Sequence, residues 1–191
     1  IKPRPDAALL QTVMLRSLRQ AMYSPDNVGH FGLSYEHYTH FTSPIRRYPD
    51  LLVHRSIKAV LEGTHYRPGK WDEIGMHCSM TERRADEATR DVDNWLKCYY
   101  MQDRIGEEFD GSVSDVVPFG LFVALDDVFV EGLVHISDLG NDYFHYDDAH
   151  HRLVGERTGE RYRLSDRVRV QLVRVNMEAS KIDFRIIAAP S

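Results

Sequence analysis

Apolar residues recur at alternating spacings of three and four through the first part of the chain, and at every second position in the last part. The first period is that of a helix with one buried face and the second that of a half-buried strand, so the sequence predicts helices before about residue 108 and strands after it. Ala7, Leu10, Val13, Met14 and Leu18 form one helical stripe. A longer run, Cys78, Thr81, Ala85, Ala88, Val92, Trp95 and Tyr99, predicts a helix from about Trp71 to Arg104 with these residues inward. Its far face, Glu82, Arg83, Asp86, Glu87, Arg90 and Asp93, reads as a solvated surface with i,i+4 ion pairs. A third helix is predicted from about Pro49 to Leu61, with Leu52, Ser56, Ala59 and Val60 inward and Gly63 as its stop. Ahead of it, Ser43 is a candidate N-cap, and Pro44 and Pro49 stiffen and kink the segment that carries Arg46 and Arg47.

Phe109–Val116, Phe119–Leu125, Val128–Ile136, Arg167–Val175 and Lys181–Ile187 predict five short strands, with Gly111, Gly120 and Gly132 at bulges or bends. Five strands with a long insertion between the third and fourth suggest a small Greek-key OB barrel. The insertion, residues 141–165, is rich in His, Tyr, Asp and Arg and holds little apolar material. The fold class expected is therefore α+β: a mainly helical part over residues 1–108, then a five-stranded barrel over 109–191.

Composition adds only outer bounds. With 191 residues, 42% hydrophobic and 28% charged, the chain suits one large domain or two small ones. No apolar run reaches the roughly 18 residues of a membrane span, and the first residues lack a secretory pattern. Two cysteines, Cys78 and Cys98, make neither a disulfide framework nor, unaided, a zinc site. A reducing, cytoplasmic setting and no membrane partner are expected. Net charge is −5 but uneven: residues 1–108 hold 15 basic and 15 acidic groups, 109–151 none and 9, and 152–191 9 and 5. That polarity predicts an acidic side and a basic side, the local potential being what steers a polyanion.

Phe119 and Phe122 flank Gly120, and a bulge there would bring both rings to one face as a stacking platform; the plainer reading buries both as core. His135 adds a flat polar ring, and Arg167, Arg169, Arg174, Lys181 and Arg185 offer phosphate contacts. Asp126-Asp127 and Asp147-Asp148-Ala149-His150-His151 are the acidic and histidine clusters, neither with a spacing that defines a metal site.

Whole phrases sharpen this picture. Gly111-Ser112-Val113, Pro118-Phe119-Gly120-Leu121-Phe122-Val123 and Glu131-Gly132-Leu133-Val134-His135-Ile136-Ser137 resemble the S1-type RNA-binding OB repeat. The resemblance implies that Phe119, Phe122 and His135 line an RNA face. The acidic and basic residues that usually join them fall at Asn176, where the carboxylate is missing, and Lys181. His37-Tyr38-Thr39-His40-Phe41-Thr42-Ser43-Pro44-Ile45-Arg46-Arg47-Tyr48-Pro49-Asp50-Leu51, followed by Glu82-Arg83-Arg84-Ala85 and Arg90-Asp91-Val92-Asp93-Asn94-Trp95-Leu96, is similar to the C-terminal part of the RNB catalytic domain. The order of the two resembles the ribonuclease R-like exoribonucleases, processive hydrolases that degrade RNA from the 3′ end to nucleoside 5′-monophosphates.

Within that resemblance Arg46 is the catalytic arginine. In-line attack on a phosphodiester builds charge on the equatorial oxygens, and a rigid guanidinium can bind two of them. Thr42 and Ser43 are expected to donate to the 3′-terminal nucleotide, capping being the other role for Ser43. Arg47 either anchors the helix or meets a neighbouring phosphate, and Lys181 and Arg185 add RNA contacts. The family holds Mg²⁺ with an aspartate cluster from the earlier half of its catalytic domain, and no such phrase occurs in these 191 residues. The expected reading is a C-terminal piece whose catalytic domain is truncated, with the metal ligands outside it. Expected partners are single-stranded RNA, structured RNA with a single-stranded 3′ end, and ribosome-associated or RNA quality-control factors. Two other readings are a non-catalytic RNA-binding module with a helical docking scaffold, and a phosphodiesterase with a metal at Asp147–His151.

Overall fold

In a computed structural model of the chain, the described residues are 17–188 together with 11, 14 and 15. Ala7, Leu10 and Val13 of the first predicted stripe lie outside them, and Met14 and Leu18 are exposed. The fold is α+β, and it divides into two compact units, one of residues 19–89 and one that holds residues 90–188, with the boundary inside a long helix.

In the first unit, helix α1 (Tyr48–Leu61) begins one residue before the predicted start, with Pro49 in its first turn, where the missing N–H costs nothing. Arg47, extended at φ −124°, is its N-cap residue and supplies no side-chain cap, so Ser43 is not the cap. Leu52 is buried as expected, whereas Val60 faces solvent, and the helix stops ahead of Gly63. Helix α2 (Trp71–Met101) is continued by a single 3₁₀ turn, Gln102–Arg104. The chain around Tyr23 runs across the start of α2: the Tyr23 N–H donates to Ser79 Oγ at 2.9 Å, and any β-carbon on Gly75 would stand 2.6 Å from the Tyr23 carbonyl. Gly75, Cys78 and Ser79 are buried there, but every residue from Thr81 to Leu96 is exposed. The predicted inward stripe is thus corrected over its middle. Among the described residues nothing covers Ala85, Ala88, Val92 or Trp95, because amphipathic spacing marks a face without supplying what packs on it.

The second unit closes a barrel in the order β1 (Glu108–Val117), β2 (Gly120–Leu125), β3 (Glu131–His135), β8 (Lys181–Ala188), β7 (Arg167–Asn176), with β7 pairing back onto β1. Only β3 and β8 run parallel. Alternate residues turn inward, so Val113, Leu121, Val123, Val134, Val170, Leu172 and Phe184 are fully buried, each contributing about 1.5–3 kcal/mol of burial. Cys98 and Met101 at the end of α2 join this core. Register slips between Val113 and Asp115, not at the predicted glycines. Gly132 has another purpose: a β-carbon there would stand 2.5 Å from the Phe184 ring, so its absence lets that ring fill the barrel.

The insertion, though it holds little apolar material, is folded. It forms a three-stranded antiparallel sheet of β4 (Phe144–Asp147), β5 (Arg152–Gly155) and β6 (Arg161–Arg163), and Phe144, Leu153 and Tyr162 are buried in the barrel's core cluster. Three large side chains suffice because each strand turns one residue inward. Asp142 ties the sheet's end by accepting from the Thr158 hydroxyl at 2.7 Å, the Thr158 N–H at 2.7 Å and the Arg157 N–H. These bonds hold its carboxyl well below the usual range.

Candidate functional site

The Thr42–Asp50 segment is held from beneath by one carboxylate. Asp50, in the first turn of α1, is completely buried; its Oδ1 accepts from the Ser43 N–H at 2.7 Å and from Arg47 Nη2 at 3.0 Å. Burial opposes ionisation of Asp50, but the bonds from Ser43 and Arg47, with the charges of Arg47 and His40, prevail and lower its pKa. The Arg46 and Arg47 N–H groups both reach back to the Ser43 carbonyl, at 3.3 and 3.0 Å, closing a tight turn over Pro44.

This turn separates the two arginines. Arg47 folds down onto Asp50 with its side chain only 24% exposed, so anchoring is the role its geometry shows. Arg47 Nε and Asp50 Oδ2 are buried with no hydrogen-bond partner, so the pair fixes position more than it maximises stability. Arg46 is exposed, and its guanidinium has no carboxylate partner among the described residues. Thr42 is exposed beside it and Ser43 half-buried.

Three residues that the sequence reading passed over complete the frame. Tyr23 OH and His40 Nδ1 are 2.8 Å apart, and burial together with the nearby Glu82 carboxylate of α2 pushes the Tyr23 hydroxyl up to about 12. His54 of α1 stacks flat on Phe41 with centroids 4.3 Å apart and bonds its carbonyl at 2.9 Å. The chain on the Thr42 side is therefore fixed by side-chain contacts to both helices. An acidic residue three positions after an arginine at a helix start was the available signal for Asp50; for Tyr23 and His40 there was none.

On the barrel, Phe119 sits in the β1–β2 turn, 51% exposed, and its ring meets that of half-buried Phe122 edge to face at 6.5 Å. Neither ring is core. A β-carbon on Gly120 would stand 2.2 Å from the Val134 carbonyl, so this residue lets β2 close onto β3 between the two rings. Phe122 pairs across with Leu133 and Gly120 with His135, and strand alternation puts Phe122, Leu133 and His135 on the outer face. His135 Nδ1 accepts from the Ser137 N–H and lies 2.8 Å from its hydroxyl, which orients the ring and leaves Nε2 for another partner. Asn176 closes the β7–β8 hairpin by accepting from the Ala179 N–H at 3.0 Å, a role a carboxylate would fill as well. Exposed Lys181 is its cross-strand neighbour.

Several arginines of the barrel are paired with carboxylates. Arg167 forks onto Asp126, Arg169 meets Glu108 at 3.0 Å, Arg174 meets Asp183 at 2.7 Å, and Arg185 lies 4.0 Å from Asp138. Strand pairing brings Asp126 to Arg167 and Glu108 to Arg169 from far along the chain, and the β7–β8 hairpin sets Asp183 beside Arg174, so these arginines arrive with partners. Asp147 likewise is taken by His150 and Arg152, and among the described residues no three His, Cys, Asp or Glu side chains converge as metal ligands. The donors present do not fit a magnesium site, and the reading of a metal at Asp147–His151 finds no support.

Residues 1–63 match the RNB domain family and residues 102–187 the S1 RNA binding domain family. Ribonuclease R of Escherichia coli (strain K12) is 52% identical over 202 residues, covering 99% of this chain, and that of Vibrio cholerae is 52% identical over 98% of it. The chain spans about a quarter of the length of these relatives: 25% and 24%. Among solved structures, Mycoplasma genitalium RNase R in complex with ribose methylated single-stranded RNA is 27% identical with a TM-score of 0.86, covering 97% of this chain and 30% of that one. The chain belongs to the ribonuclease R family, of which it is a segment joining RNB sequence to an S1 RNA-binding barrel.

Proposed function

We propose that this segment serves a processive 3′-to-5′ exoribonuclease that hydrolyses RNA to nucleoside 5′-monophosphates, supplying the arginine that stabilises the transition state and a barrel that holds the incoming strand. The observation that carries the reading is the division of labour in the arginine pair. Arg47 is spent on buried Asp50, and Arg46, one residue earlier on the turn so fixed, presents a guanidinium with no carboxylate partner among the described residues. A donor fork held rigid before the substrate arrives needs no reorganisation as charge grows on the phosphoryl oxygens. Thr42 and Ser43 would hold the 3′-terminal nucleotide beside it. Any ligands for the family's Mg²⁺ would be aspartates outside these 191 residues. The RNA named in the Mycoplasma genitalium complex supports RNA as the partner; a cytoplasmic location and quality-control partners are part of the same proposal.

The 191-residue chain alone is expected not to cleave RNA at any Mg²⁺ concentration, because a lone guanidinium stabilises charge only after a nucleophile has been placed. Mononucleotide release from single-stranded RNA by a pure sample would overturn this. Binding should survive: weak, salt-sensitive affinity for single strands is expected, carried mainly by the barrel. Replacing Phe119 and Phe122 together by alanine should cost about 1–3 kcal/mol per stacked base lost, with little change in melting temperature since neither ring is buried. A double variant that binds normally but melts much earlier would return both rings to the core. The non-catalytic module reading would be favoured instead if full-length enzyme tolerated loss of Arg46.

A further inference from the structure

Beside Phe122 and His135 the outer face of the barrel opens into a groove of about 430 Å³ bounded by Leu133, His135, Asp138, Arg174 and Asp183. Its charges are already paired. Arg174 sends Nε and Nη2 to a single oxygen of Asp183 at 2.8 and 2.7 Å, and Arg185, in the parallel register step of His135, lies 4.0 Å from Asp138. The arginine side chains are 71% and 56% exposed, so each pair sits in water and is held loosely.

We infer that Asp183 and Asp138 are built-in competitors of RNA phosphate: in the free protein Asp183 holds Arg174, which lines the groove, and Asp138 attracts Arg185 beside it, and each gives up its arginine as the backbone of a strand enters. This rests on reading the Phe122–His135 face as the RNA surface, and adds how its grip is limited. A phosphate that takes Arg174 from Asp183 exchanges one anion for another, so the net gain is small. The carboxylate left behind draws in a cation, offsetting the counterion that the phosphate released. The groove thereby contributes little to affinity and little to its salt dependence, as suits a surface along which a strand must slide.

The test is binding of the 191-residue protein to a labelled oligouridylate between about 50 and 200 mM salt. Asp183→Asn and Asp138→Asn keep a hydrogen-bond acceptor for the arginine and remove the charge. Each is expected to tighten binding about two- to five-fold at low salt, the range of an exposed ion pair, and the double variant roughly tenfold. The slope of log affinity against log salt should steepen by up to about 0.7 for each arginine released. Asp126→Asn makes the same change in net charge at Arg167, a pair outside the groove, and is expected to do less. Arg174→Ala should cost little in the wild type but cancel the gain in the Asp183→Asn background. Unchanged or weaker binding by Asp183→Asn with an unchanged melt would overturn the inference, the carboxylate then serving to aim Arg174. An equal gain from Asp126→Asn would overturn it too, as an effect of bulk charge. Phe122→Ala and His135→Ala separate the premises: if both bind like wild type, the RNA face itself is misplaced, whereas if they weaken and the aspartate variants do not tighten, only the competition fails.

Discussion

Arg46→Ala, made in the full-length enzyme that contains this segment, is expected to lower kcat by about 100-fold or more and to leave RNA affinity nearly unchanged, as loss of one preorganised donor does elsewhere. Lysine should rescue little, since an ammonium is a point charge where two oxygens must be met at fixed spacing. The expectation follows from the position of the side chain: exposed, free of any carboxylate among the described residues, and mounted on a turn whose carbonyl at Ser43 receives two backbone N–H groups. Arg46 therefore has little structural work to lose. Arg47→Ala should behave differently, acting through stability, because it strands the buried carboxylate of Asp50. Single-turnover cleavage at saturating enzyme, a binding isotherm and a thermal melt separate the two cases. A stable Arg46→Ala enzyme that cleaves at close to the wild-type rate would sink the assignment.

Asp50→Ala is expected to be the most destabilising single change in the first unit. It removes the acceptor of the Ser43 N–H and leaves the Arg47 guanidinium three-quarters buried without its counter-charge, a loss of about 3 kcal/mol, the low end for a broken buried pair. Hydrogen exchange should report it as about a hundredfold loss of protection for the Ser43 amide and the first turn of α1. Cleavage by the full-length enzyme should fall with it, since the turn that aims Arg46 is no longer tied down. The pH dependence has a definite sign. The folded carboxyl ionises below its ordinary value near 3.8, so the unfolded chain binds the proton more readily. Its contribution is full above about pH 4 and is lost as pH falls further, through the lowered folded value. The difference in protection between wild type and Asp50→Asn should therefore be flat from pH 5 to 8 and shrink only in stronger acid. A difference that grew as pH fell, or unaltered exchange at Ser43, would be incompatible with an anchoring carboxylate.

The sequence by itself determined the class of both described helices and of the five barrel strands, and both recognisable phrases. The helix predicted to about Arg104 ends at Met101, the strand predicted from Phe109 begins at Glu108, and all five barrel strands fall within a few residues of where alternation puts them. Local patterns carry this much because a helix or strand declares its own repeat. Arg46 and the Phe119–Phe122 pair were legible for a related reason: a proline-flanked arginine pair and two aromatics around a glycine are phrases of a few residues. What only the tertiary structure decided are the matters that depend on residues far apart in sequence. The insertion becomes a sheet because Phe144, Leu153 and Tyr162 find the barrel core, three apolar residues too sparse to signal a fold in composition. The stripe along α2 stays bare from Thr81 to Leu96 because a repeat names a face and not its cover. Asp126 of acidic 109–151 meets Arg167 of basic 152–191, and Asp138 comes within 4.0 Å of Arg185, because β7 pairs with β1 and β8 with β3, and Coulomb energy follows distance in space. The surroundings of two adjacent arginines likewise diverge only in three dimensions, where one guanidinium reaches a carboxylate sealed from water and the other is exposed, with no carboxylate partner among the described residues.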